Sequence, residues 1–196
     1  METHEEKLAR VLKDDVEVVP YHAAWPSMFE EERHHLRACF PEALPGRIEH
    51  FGSTAVPGLA AKPVIDMLVE VRNLEEACSM IAPLLEAQGY DYFWRPTFGD
   101  DTPPWYAWFI KRDAQGRRTH HLHMLESCPA FDGHWNRLLF RDYLIAFPEI
   151  AREYAAIKIA LASSGLERMA YADLKAGFIE RATADAIRYF SNRESS

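Results

Sequence analysis

The stretch RIEHFGSTAVPGLAAKPVIDMLVEV, from Arg47 to Val71, decides the fold of this chain. Its first apolar run ends at Gly52, a loop with small residues and proline follows, and a second apolar run carries Asp66 near its start. This order predicts a strand, a loop and a second strand. Side chains alternate along a strand, so Asp66 should share one face with Leu68 and Glu70. We therefore expect the opposite, fully apolar face in the core and the Asp66 face toward a cleft.

The Gly52-Ser53 pair at the start of the loop favours an anion as ligand. Glycine has no side chain, so neighbouring backbone N–H groups can approach a phosphate closely. The loop is not a P-loop, because its glycines lack the spacing of that motif and no Ser or Thr follows Lys62. What remains is Gly-Ser, a spacer over residues 54–65, and an acidic residue inside an apolar strand.

This arrangement resembles the nucleotidyltransferase fold of DNA polymerase beta and its relatives. The signature of that superfamily is Gly-Gly or Gly-Ser, a spacer of similar length, and an acid-apolar-acid strand that holds magnesium. The segments HFGSTAVPGLAAKPVIDMLVEV, RTHHLHML and YADLKAGFIE are also similar to the GrpB family of bacterial proteins, a branch of this superfamily. The similarity runs from about Val16 to Ile179 and therefore covers nearly the whole chain.

The resemblance and the pattern together predict an α+β fold with a nucleotidyltransferase-like mixed β-sheet packed against helices. Two strand-like runs flank a turn with Asp113 and Gly116 and predict an antiparallel β-hairpin. The last third of the chain is predicted to be helical, with Pro148 at the first position of one helix. We predict a flexible tail or frayed helix over residues 1–15 and a single GrpB-like domain over 16–190, with a sheet-bearing lobe (16–126) and a helical lobe (131–190).

The composition limits the classes of partner. A formal net charge of −8 argues against general nucleic-acid binding, which needs many Lys and Arg side chains to neutralise phosphates. A local positive pocket for a small nucleotide is compatible with this charge. The three widely spaced cysteines indicate free thiols in a reducing compartment. The sequence shows no signal peptide and no apolar run of about 20 residues, so we expect a cytoplasmic protein without a membrane segment.

Asp66 is the first candidate for chemistry. A lone carboxylate among apolar residues needs a cation or water, and the resemblance implies that Asp66 holds Mg²⁺. A structural ion pair is the alternative. The superfamily pattern places a second acid two residues later, where this chain has Leu68. Glu70 lies about 13 Å from Asp66 along a strand, which is too far for both to bind one ion.

His120, His121 and His123 form a second candidate cluster. On a strand, His121 and His123 point to one face and His120 points to the other. The pair could bind a transition metal or donate hydrogen bonds to a phosphate. A third metal ligand would have to come from His50 or Asp66, which are distant in sequence. A polar wall of hydrogen-bonded histidines is an equally good interpretation.

Lys175 and Tyr171 match the Tyr-x-x-x-Lys pattern of the family. The resemblance implies that Lys175 or Arg118 offsets the charge of a leaving pyrophosphate. Lys158 also lies near an apolar helical stripe, but a lysine that snorkels over apolar surface is the more ordinary interpretation. The predicted nucleotide-binding residues are Gly52, Ser53, Thr54, Lys62, Arg118, His121, His123 and Tyr171, with Asp66 and Lys175 as catalytic residues and Asp66, His121 and His123 as metal ligands.

Three classes of function fit these residues. The first is an enzyme that binds a nucleoside triphosphate with Mg²⁺ and transfers the nucleotidyl group to an acceptor that the sequence does not identify. The second is a nucleotide-binding module on the same fold that has lost part of the metal site, as Leu68 indicates. The third and least favoured is a histidine-based metallohydrolase.

Overall fold

A five-stranded mixed sheet lies at the centre of the chain. The computed structural model describes residues 4–13, 17–40, 44, 46–97, 102–163 and 168–194. The strands are β1 (Ile48–Phe51), β2 (Ile65–Glu70), β3 (Asp91–Pro96), β4 (Trp105–Arg112) and β5 (Arg118–Leu125), in the spatial order β1-β2-β5-β4-β3. β2 and β5 are parallel, while the other neighbours are antiparallel. The predicted mixed sheet and the β4–β5 hairpin are therefore confirmed.

The first face of the sheet carries the larger core. Met67 and Val69 of β2 have no exposed surface there, as the alternation along the strand predicts. Leu36 and Leu85 pack against them from the helical side, and burial of each such side chain contributes about 1.5–3 kcal/mol. The elements that cover this face are α2 (Trp25–Cys39), α3 (Leu74–Glu76), a π-helical turn (Ala77–Ile81) and α4 (Ala82–Ala87), of which α2 and α4 supply Leu36 and Leu85.

The second face of the sheet is covered as well. The elements on this face are a 3₁₀ turn (Pro129–Phe131), α5 (Asp132–Trp135) and α6 (Arg137–Ala146). Leu68 lies in this second core with no exposed surface. The prediction that Leu68 faces a cleft is therefore wrong, because helices far along the chain bury it. Asp66 is different, since 30% of its side chain is exposed.

The last third of the chain is helical, as predicted. α7 (Pro148–Ser163) and α8 (Arg168–Glu194) form a third core with α6. Val56 and Leu59 of the loop after β1 also belong to this core. The rings of Tyr154 and Phe178 stack there, with centroids 5.2 Å apart. This packing holds the loop against α7 and α8. No helix within the described ranges is long and apolar enough to cross a membrane.

Residues predicted to belong to a flexible tail form a docked helix, α1 (His4–Lys13). Arg10 donates two hydrogen bonds to the carboxylate of Asp91, at 2.8 and 2.9 Å, and Arg112 donates a third at 3.0 Å. Burial raises the pKa of Asp91, but these hydrogen bonds outweigh it and lower the pKa below its usual value. His4–Lys13 is therefore a docked helix and not a flexible tail, because the buried carboxylate of Asp91 on β3 binds Arg10.

Candidate functional site

A small pocket lies where the loop after β1, the start of β2, α7 and α8 meet. Its volume is about 60 Å³, well above the roughly 10–15 Å³ that a single water molecule needs. Three ammonium groups and one carboxylate line it, so its chemistry suits an anion. We call it the three-lysine pocket, and its lining residues are Ser53, Thr54, Lys62, Val64, Asp66, Lys158 and Lys175.

Gly52 allows the carboxylate of Asp66 to lie against the loop backbone. The φ angle of Gly52 is +74°, in the region that favours glycine. A Cβ atom at this position would lie 2.7 Å from Oδ2 of Asp66. The sequence predicts that this glycine makes room for a phosphate. In the structure, the missing side chain makes room for Asp66.

His121 holds the carboxylate of Asp66 in one orientation. The two residues are neighbours on the parallel strands β2 and β5, and Nδ1 of His121 lies 3.0 Å from Oδ1 of Asp66. An ionised carboxylate only accepts hydrogen bonds, so Nδ1 carries the proton. The ring of His121 lies 5.2 Å from the ring of Trp108, centroid to centroid. The carboxylate is therefore fixed at the edge of the three-lysine pocket.

Lys158 is the most deeply buried of the three lysines. Its side chain is on α7, and the residue is only 2% exposed. Nζ donates a hydrogen bond to the carbonyl of Ala60 and lies 4.6 Å from the ring centroid of Tyr154. Burial, together with the charges of Lys175 and Lys62, lowers the pKa of Lys158 to about 7. The interpretation of Lys158 as a snorkelling surface lysine is therefore wrong.

Thr54 uses its hydroxyl to hold the loop. His50 Nε2 lies 3.0 Å from Oγ1 of Thr54, and this hydroxyl lies 3.3 Å from the carbonyl of Val64. The hydroxyl proton goes to the carbonyl, so His50 donates to Oγ1. The His50 ring stacks on Phe29 at 4.9 Å, and burial lowers the pKa of His50 to about 4. Thr54 is thus a support of the pocket wall.

The structure brings most of the described site residues together and separates two of them, Arg118 and His123. Arg118 is buried and donates to the backbone carbonyl of Val11 in α1, so its guanidinium anchors that helix and does not line the pocket. His123 shares the face of His121, as predicted, but lies deeper in the sheet against Tyr106. The side chain of Tyr171 lies outside the described residues.

The protein ligands alone do not fit a free Mg²⁺ ion. Asp66 is the one carboxylate among the residues that line the pocket, and three lysines repel a cation. In the described part of the chain, no group of three His, Cys, Asp or Glu side chains could hold a metal. An ion that arrives with phosphate oxygens needs only one or two protein carboxylates, which Asp66 could supply. The transition metal at His121 and His123 stays a prediction.

The family is decided by the match between this chain and known proteins. The model of the GrpB family, described as "GrpB protein", matches residues 15–185. The chain belongs to the GrpB family. A solved GrpB structure from Enterococcus faecalis is 30% identical, with a TM-score of 0.73, and the match covers 89% of this chain and 99% of that one. The fold described above is therefore a GrpB fold.

Two curated relatives of this GrpB chain are longer than it is. The protein YqkA of Bacillus subtilis, described as a UPF0157 protein, is 38% identical over 94% of this chain and 51% of the relative. A dephospho-CoA kinase of Mycolicibacterium paratuberculosis is 30% identical over 79% of this chain and 42% of that protein. This chain therefore spans about half the length of these relatives or less.

Proposed function

We propose that this chain binds the triphosphate of a nucleotide, together with Mg²⁺, in the three-lysine pocket. The observation that carries the proposal is the convergence of Lys62, Lys158 and Lys175 on one small cavity beside Asp66. Ammonium groups that meet at short range repel one another, and the buried Lys158 also pays a cost of desolvation. A ligand with several negative charges removes both penalties, so the free energy of binding would come from relief of this repulsion.

The size of the pocket supports binding of phosphates without enclosure of a whole nucleotide. Pockets for small molecules usually measure about 300–1,000 Å³. The three-lysine pocket measures about 60 Å³. In the proposal, the phosphates enter the pocket while the ribose and the base lie outside it.

Asp66 would provide one ligand to the ion of a metal–nucleotide complex. Mg²⁺ is commonly bound by one or two carboxylates together with substrate phosphates and water. The hydrogen bond from His121 fixes the orientation of the Asp66 carboxylate. In known metal sites, a hydrogen bond of this kind to a metal-binding side chain raises the affinity for the metal. Leu68, which stands in the second acidic position, is fully buried and supplies no ligand.

Nucleotidyl transfer to an acceptor is the second candidate function. The orientation of Asp66 by His121 favours it, because phosphoryl transfer depends on ions and groups that are held in place. The missing second carboxylate favours the alternative, a binding module without catalysis. Release of pyrophosphate in the presence of Mg²⁺ and small hydroxyl compounds would separate the two.

Thermal unfolding with ATP, GTP, CTP and UTP, each with and without Mg²⁺, tests the proposed binding. A ligand at a hundredfold excess over Kd stabilises by about 2.7 kcal/mol, which raises Tm by about 5–10 °C for a chain of this size. Lys175→Gln should abolish the shift. Arg152→Gln is the matched control, since it removes one positive charge from an exposed position on α7.

Two results would count against the proposal. One is the lack of any shift with all four nucleotides in both metal conditions. The other is a shift that persists in full after Lys175→Gln, since binding would then lie elsewhere on the protein.

A further inference from the structure

A second group of polar side chains lies over the same face of the sheet as Asp66. His123 stacks on Tyr106 with centroids 5.5 Å apart and an interplanar angle of 13°. His134 meets the same Tyr106 ring at 4.7 Å, edge to face. The group, which we call the arginine cluster, consists of Arg95 on β3, Tyr106 and Trp108 on β4, His123 on β5, His134 on α5 and Arg137 at the start of α6.

Both arginines of the cluster lack an acidic partner in the described part of the chain. The Arg95 guanidinium lies 4.9 Å from the ring centroid of Trp108, and the Arg137 guanidinium lies 5.7 Å from that of Phe51. Neither guanidinium makes a hydrogen bond or an ion pair with any described residue. Burial lowers the pKa of Arg137, and the nearby positive charge of Arg95 acts in the same direction.

Three buried nitrogens of the cluster also have unused hydrogen-bonding capacity. They are Nε1 of Trp108, Nδ1 of His123 and Nδ1 of His134, and none has a partner within the described ranges. Burial lowers the pKa values of both histidines, so the imidazoles are neutral at pH 7 and each carries one N–H. Nε2 of His134 lies 3.3 Å from Oγ1 of Thr97, and when Nε2 accepts from this hydroxyl, Nδ1 carries the proton and can donate to a ligand. Buried polar atoms without partners are rare and costly in proteins. Here they occur beside two guanidinium groups that have no acidic partner among the described residues.

We propose that the arginine cluster is a second anion site that takes the phosphate group of a phosphorylated small molecule. A phosphate monoester carries a charge near −2 at pH 7, which matches the two guanidinium groups. Planar guanidinium forks bind such oxygens in pairs, and the tryptophan and histidine N–H groups can supply further donors. A single carboxylate would leave one of the two cations unbalanced.

The phosphorylated small molecule would be the second substrate, because the arginine cluster lies next to the three-lysine pocket. This inference rests on the proposed nucleotide site. The ring of Trp108 in the cluster lies 5.2 Å from that of His121, centroid to centroid, and Nδ1 of His121 lies 3.0 Å from Oδ1 of Asp66, so the two sites are neighbours. A nucleotide at the lysines and a phosphate at the arginines would therefore flank one carboxylate. The acceptor that the sequence leaves open would then be a phosphorylated compound.

Calorimetric titration of the full chain with phenyl phosphate tests the site without any nucleotide. Arg95→Gln and Arg137→Gln should each weaken binding at least tenfold, while Arg152→Gln should leave the affinity unchanged. Lys175→Gln should keep phenyl phosphate binding and lose the nucleotide shift, so failures of the two sites are distinguishable. Unchanged affinity in both arginine variants would overturn the inference, as would tighter binding of succinate than of phenyl phosphate.

Arg137→Met shows whether the arginine is a structural residue. Removal of a positive charge that has no acidic partner in the described ranges should leave Tm unchanged or raise it. A Tm several degrees lower would show that the guanidinium stabilises the fold, which contradicts the inference. As a direct readout, phenyl phosphate should shift the imidazole NMR signals of His123 and His134 in the unmodified protein and not in Arg137→Met.

Discussion

Lys158 should couple binding of a triphosphate to uptake of a proton. In the free protein, burial, together with the charges of Lys175 and Lys62, lowers the pKa of this lysine to about 7. At pH 8, roughly nine tenths of these side chains are therefore neutral. A bound polyanion stabilises the ammonium form and raises the pKa again. Binding at pH 8 should consequently take up about 0.9 proton per nucleotide, an order-of-magnitude figure from the same pKa.

The sign of the pH dependence follows from this uptake. In the window above pH 7, the complex holds more protons than the free protein, so a rise in pH opposes binding. Affinity should fall by about a factor of ten per pH unit until the pKa of Lys158 in the complex is reached. The terminal phosphate, with a second pKa of about 6, is roughly nine tenths ionised at pH 7 and more completely ionised above it. Its titration therefore contributes little.

Calorimetry at pH 8 in buffers of different ionisation enthalpy measures the proton uptake directly. The slope of the observed enthalpy against the buffer enthalpy gives the number of protons. Lys158→Met should reduce the slope to near zero, whereas Arg152→Gln, on the same helix, should leave it intact. A wild-type slope of zero with binding preserved would refute the reasoning, and so would an unchanged slope in Lys158→Met.

Stability measurements test the surroundings of the pocket. Without ligand, Lys158→Met should be more stable than wild type near pH 7 and should lose this advantage toward pH 10.5. The reason is that the pKa of Lys158 is lower in the folded protein than in the unfolded chain, so the unfolded chain binds the extra proton between these pH values. Urea unfolding at both pH values measures the difference in the free energy of unfolding. Gly52→Ala should lose about 1–3 kcal/mol in the same assay, since its backbone is left-handed and the new methyl group meets Asp66. Leu68→Asp should abolish the folded circular dichroism spectrum and bind no additional metal, because Leu68 is fully buried. Leu68→Ala should fold, with a free energy of unfolding lower by about 2–5 kcal/mol.

Local patterns of the sequence predict the sheet because each strand is specified by its own residues. Alternation along β2 assigns Met67 and Val69 to one face, and the structure buries both in the first core. The turn around Gly116 likewise joins β4 to β5 without help from other elements. Such features depend on neighbours a few residues apart.

The misplaced residues depend on contacts that local patterns do not contain. Leu68 is buried because α5 and α6 cover a face of the sheet that could equally have remained open. Arg118 faces α1 because that helix docks through Arg10 onto Asp91 on β3. In both cases the partner segment lies far away in sequence, and its docking position has no signal in the strand itself.

The distribution of positive charge follows from the same long-range packing. Three of the six lysines of the chain meet in one pocket, although they come from a loop and two different helices. Two arginines without acidic partners among the described residues lie over the same face of the sheet. The chain as a whole has a net charge of −8, so its composition does not account for these two local groups of positive side chains. An acidic surface repels long nucleic acids. A confined group of cations can still attract a small polyanion at short range, because salt screens the surrounding negative charges beyond about 8–10 Å.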